Sequence, residues 1–331
     1  MNQAVMSKLE LFVSNTQSTR SDFAWQDGMV RRMMALVFTL EGREIDANVI
    51  KDARDMIRAE TRMFSRFRGM SQLPVAAKLA LTDDPKRLFK DVQDANQALR
   101  DAGFPNSDLV VIASYLLASG AEHFNYKKYA DLAFRYWEET TSRAQRALGF
   151  DDSVYMVMMA LADIDSHDGI KRINELTERL RPEFRWASAS AVHDLASVLA
   201  IGGKSDEALD CLLGLNEALR AQKIRLDKEH TLPALGMLSL LNLDRLQLVD
   251  DLIAGRDFLR EQKGFKVVDS QELLMQVSAL IAATACDGED GSKKLLGGAV
   301  AQTVITQQII VMMMIVIMTS TMAASAAAVS G

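Results

Sequence analysis

The sequence predicts an all-α protein, an α-solenoid of stacked helical hairpins, and three observations carry that prediction. Between residues 82 and 283 one pattern occurs five times: a longer amphipathic helix, a stop at glycine or an aromatic residue, and a shorter, almost wholly apolar helix. The period is about 40 residues, that of two-helix units which hide their apolar faces only by stacking on one another. Composition agrees, since 6% aromatic residues, five prolines and few β-branched alternations leave little that reads as strand and turn.

Three helices are expected ahead of the array, over residues 5–12, 23–40 and 46–68. In the third, Asp46 suits the N-cap, and Ile50, Ala53, Ile57, Phe64 and Phe67 supply an apolar edge. With the short apolar segment 74–81 it reads as a degenerate opening unit, so residues 1–81 form an N-terminal helical cap region and residues 82–285 the repeat array.

The first full unit shows the grammar. Asp84 is placed to cap a helix that has Pro85 at its first position, where a missing N–H costs nothing. Leu88, Val92, Ala95 and Leu99 follow at helical spacing opposite Lys86, Lys90, Asp94 and Gln97. Gly103 stops the helix, being the residue that most easily adopts the left-handed conformation. Pro105, Asn106 and Ser107 turn the chain into a segment, 108–118, that is apolar on every side and therefore buried. The pattern returns at 129–150 with 153–161, 169–186 with 187–199, 205–226 with 231–241, and 244–265 with 270–283. Gly-Phe endings at Gly103-Phe104, Gly149-Phe150 and Gly264-Phe265 mark the units.

Residues 286–304 read as a linker of glycine and charge, and residues 305–331 as an apolar C-terminal tail. After Lys294 no charged side chain follows, and a stretch of this kind is long enough for one membrane crossing, which needs about 20 apolar residues. The lysines before it fit a cytoplasmic flank. Equally, such a tail covers an apolar face of its own array or pairs with a second copy in a homo-oligomer, and Met312, Met313 and Met314 suit either surface. Apolarity alone leaves these readings open.

A net charge of −6 argues against a general nucleic-acid binder, which needs a dominant basic face. The third helix nevertheless carries Arg54, Arg58, Arg62 and Arg66 at four-residue steps, a stripe of guanidinium groups suited to an anionic partner. The competing reading is a solvated face balanced by Asp52, Asp55 and Glu60. Cys211 and Cys286 lack metal-type spacing and read as buried thiols in a reducing cytoplasm. Residues 1–20 show no secretory signal.

Chemistry is harder to find. The segment 163–169, DIDSHDG, lacks the glycine at position 6 and the glutamate at position 12 of a calcium loop. IGGKSDE, at 201–207, lacks the leading glycine of a phosphate loop, whose place is taken by Val198. His123, His167, His193 and His230 lie in different units; His193 beside Asp194 is catalytic in principle, although a single histidine in an apolar helix is more often structural. No catalytic constellation, metal site or cofactor is expected.

The phrases RFRGM (66–70), LTDDP (81–85), LRDAGF (99–104), SYLLA (114–118), RLDKEHTLPALGMLSLL (225–241) and FLREQKGF (258–265) together resemble the bacterial family known as domain of unknown function 4003. The resemblance implies a bacterial, cytoplasmic, all-helical protein and carries no catalytic residues with it. The sequence thus points first to a non-enzymatic scaffold that binds a protein or peptide partner. Its alternatives are a tail-anchored protein on the cytoplasmic face of the inner membrane and an enzyme acting on a small anionic substrate.

Overall fold

The computed structural model describes residues 1–142, 152–162, 164–201 and 205–287, and among them the chain is all-helical. The α-helices are α1 (Gln3–Asp22), α2 (Gly28–Leu40), α3 (Ala47–Ala59), α4 (Gln72–Leu79), α5 (Pro85–Ala102), α6 (Asp108–Gly120) and α7 (Tyr126–Thr140). They continue with α8 (Ser153–Leu161), α9 (Ser166–Leu180), α10 (Ala189–Ile201), α11 (Ser205–Ala221), α12 (Leu232–Ser239), α13 (Arg245–Glu261) and α14 (Ser270–Cys286). The Gly149-Phe150 ending and the tail 305–331 lie outside the described residues.

Helix ends follow local chemistry. Asp84 accepts a bond from the Arg87 N–H at 3.0 Å ahead of Pro85, and Asp46 caps α3 in the same way. Gly103 ends α5 at φ 119°, and a Cβ there would stand 2.6 Å from the Phe134 ring, so both backbone and neighbour require glycine.

Odd- and even-numbered helices differ in burial as the sequence pattern requires. Helix α5 buries one stripe, Phe89, Val92, Ala95 and Leu99, whereas α4 and α12 bury every residue. Each odd helix packs on the even helix that follows it, and each such hairpin packs on the next. The series returns to its beginning, because α1 packs on α13 and α14, and α14 reaches α2. At this closure Arg32 binds Glu272 through two bonds of 2.6 and 3.0 Å, and the Phe12 and Phe265 rings meet edge to face at 5.4 Å. The α-amino group lies 3.6 Å from Asp251. Residues 1–40, part of the region 1–81 expected as an N-terminal cap, pack against both the next hairpin and the last one. Helix α1 buries Leu9 and Phe12, and the final hairpin supplies the cover they need.

Helix α3 is shorter than its spacing suggests. It ends at Ala59, where the Arg68 guanidinium turns back to donate to the carbonyls of Arg58 and Thr61 and to the Thr61 hydroxyl. That cation satisfies carbonyls which a continuing helix would have used. Phe67 still enters the core against Phe89, with ring centroids 5.4 Å apart, but Phe64 does not join the apolar edge and is 95% exposed.

Candidate functional site

Within each hairpin the two helices run antiparallel, so all even helices begin at one end of the ring. Among the connections that lead into them, 60–71, 181–188 and 262–269 are long while 23–27 and 103–107 have five residues, and those at the other end are short, as at 80–84 and 240–244. Two features coincide with the long-loop end, one buried and one exposed.

The buried feature centres on Asp152 at the start of α8. Asp27, Asp46, Asp84, Asp165, Asp244 and Asp269 all occupy N-cap positions and all bond a backbone N–H of their own helix. Asp152 holds the same position and makes no such bond. Its carboxylate turns to α10 instead, with Oδ1 3.4 Å from the Ser190 hydroxyl that donates to it and Oδ2 3.2 Å from His193 Nδ1. The His193 approach is close enough for an ion pair but off the line of a good hydrogen bond, so both ring nitrogens lack a partner although the residue is only 5% exposed. Asp194 completes the group, and burial followed by the neighbouring Asp152 carboxylate pushes it well above the ordinary carboxylate range. The Tyr155 hydroxyl, one turn into α8, is also buried without a partner; burial and then the charges of Asp194 and Asp152 raise it well above its ordinary range. Buried polar atoms without hydrogen bonds are costly and rare, which makes four residues with such atoms in one place informative.

The exposed feature is a set of large apolar side chains on the connections at this end, Trp25, Met63, Phe64, Trp186 and Val267, with Phe124 and Leu246 exposed at the other. Arginines accompany them. The Arg54 guanidinium lies over the Trp25 ring at 5.9 Å, and that of Arg185 over Trp186 at 5.3 Å. A groove of about 490 Å³ beside Trp186 is lined by Arg220, Arg225, Lys228 and Gln271.

The four arginines of the predicted stripe do not share one helix face. Arg54 and Arg58 lie on α3, Arg62 in the turn beyond it, and Arg66 in the 3-10 turn Arg66–Arg68. Arg54 pairs with Asp55 at 2.8 Å, and Arg66 stands 4.0 Å from Asp108. Arg58 and Arg62 have no acidic side chain as partner among the described residues, and Arg62 directly precedes Met63 and Phe64. The region remains locally basic, with six basic and three acidic side chains between residues 51 and 70 of an acidic protein.

The model of one family, described as Protein of unknown function (DUF4003), matches residues 15–320. The chain belongs to this family. No curated protein and no solved structure matches it. In this DUF4003 chain, sequence reasoning named His193 and Asp194 but missed Asp152 and Tyr155. The available signal was an aspartate at an N-cap, a position usually explained by capping alone. The exposed apolar set was hidden for a similar reason, since Phe64 falls on the spacing of a buried stripe and only the early end of α3 releases it.

Proposed function

We propose that the protein is a non-enzymatic ring of helical hairpins that binds a protein or peptide partner at its long-loop end. The bound segment carries apolar side chains beside carboxylates. The observation that carries this reading is the adjacent pair Met63 and Phe64, 74% and 95% exposed, in a segment that also carries Arg58 and Arg62. Large apolar side chains grouped at a surface mark sites of association, and tryptophan and arginine contribute most where such surfaces are buried. The charges of Arg58 and Arg62, free of acidic partners, favour an acidic sequence and would speed its approach. Stacked hairpins supply a firm platform for such loops. The proposed compartment is the cytoplasm, in keeping with two cysteines that form no disulfide.

A membrane surface is the competing occupant of the same patch, because aromatic and basic side chains also suit anionic headgroups. No described helix is long and apolar enough to cross a membrane, and the tail 305–331 lies outside the described residues. The test is affinity capture from a bacterial lysate in parallel with flotation on anionic vesicles. The wild-type chain and a Phe64→Ser/Arg58→Glu/Arg62→Glu variant of equal melting temperature are compared. The reading predicts one stoichiometric protein, retained by the wild type and lost by the variant, and no vesicle binding that depends on these residues. Vesicle binding abolished by the same substitutions, with no protein retained, overturns it.

A further inference from the structure

The Asp152–His193–Asp194 group is independent of the exposed patch, and its chemistry points to a metal. One donor atom from each residue lies within 4.8 Å of the others. Donors held about 2.1 Å from a common tetrahedral cation are about 3.4 Å apart, so side-chain rotations closing up to about 1.4 Å bring the three into a first coordination shell. One imidazole nitrogen with two carboxylate oxygens suits zinc, manganese or iron, in contrast to the all-oxygen sets of calcium and magnesium. The partnerless atoms include the ones such an ion would engage: one of the two His193 nitrogens, Asp152 Oδ2 and Asp194 Oδ1. Tyr155 adds a separate indication, being a buried hydroxyl, 3% exposed, without a partner and close enough to both carboxyls to feel their charge.

We propose that Asp152, His193 and Asp194 bind one divalent transition-metal cation that ties α8 to α10. The two carboxylates offset the charge of the ion. Coordination by residues from two successive hairpins makes the ion a clamp between them, so binding stabilises the fold in proportion to ion concentration.

The experiment uses the full chain without an affinity tag, stripped with a chelator and titrated calorimetrically with zinc, with cobalt as a second probe read by its visible absorption. The wild type is expected to bind about one zinc per chain and to melt at higher temperature with it. Asp194→Asn, which keeps the shape of the side chain, and His193→Gln are each expected to weaken binding at least about tenfold. Asp94→Asn disrupts the exposed Asp94–His123 pair, 3.2 Å apart, and should leave zinc binding unchanged. Absence of saturable one-to-one binding in the wild type, or equal affinity in the wild type and a folded Asp194→Asn variant, overturns the proposal. Should His193→Gln fail to fold, Asp194→Asn decides alone.

Discussion

Phe12 and Phe265 lie 253 positions apart in sequence and meet with their ring centroids 5.4 Å apart, both excluded from water. The contact joins the first hairpin to the last. Phe12→Ala is expected to lower stability by about 3–5 kcal/mol, as for a well-packed core phenylalanine. Urea unfolding followed by circular dichroism measures it, and a loss below about 1 kcal/mol would mean that the first hairpin is not packed on the last.

Gly103→Ala tests a position where backbone and neighbour agree. An alanine must adopt φ 119° and push its Cβ against the Phe134 ring. A loss of about 1–3 kcal/mol is expected from strain and crowding together. The matching Gly42→Ala change, at φ 65° with open space around it, should cost less, because only the backbone contribution remains. Chemical denaturation of the two variants side by side reads the difference.

Asp227 gives the fold a defined acid sensitivity. Burial alone would raise its carboxyl, but the hydrogen bonds of Arg225 at 2.7 Å and Arg220 at 2.9 Å outweigh that and hold it below the ordinary aspartate range. A depressed folded-state value means that its stabilisation is complete above the unfolded value of about 3.9 and disappears as pH falls through the folded one. The advantage of the wild type over Asp227→Asn should therefore be constant near neutral pH and shrink below about pH 4. Melting temperatures of both proteins across that range supply the check.

Surface residues of the proposed binding patch should separate function from folding. Phe64→Ser and Arg62→Glu, both at exposed positions, are expected to change stability by no more than about 0.5 kcal/mol. A larger loss in either would show that the side chain is covered within the fold and is not available to a partner.

Much of the helical framework was legible because its signals are local. Asp84 with Pro85, Gly103 and the stripe ending at Leu99 fix α5 almost residue by residue, and the apolar run after Ser107 marks α6 as buried. The closure was not legible, since no local pattern announces that Arg32 pairs with Glu272 or Phe12 with Phe265. The end of α3 failed for a related reason: Arg68 caps it from beyond the helix, in competition with a periodicity that runs on through Phe64 and Phe67. Asp152 resembles six other capping aspartates in sequence and differs only in where its carboxylate turns.

The most direct test of the partner-binding account is photo-crosslinking in living bacteria. A photoreactive phenylalanine analogue is introduced at Phe64 on the long-loop end or at Phe124, which is 81% exposed on the opposite end. The account predicts one discrete protein adduct from position 64, abolished by Arg58→Glu with Arg62→Glu, and none of that mass from position 124. No adduct at 64, or the same adducts from both positions, would contradict it.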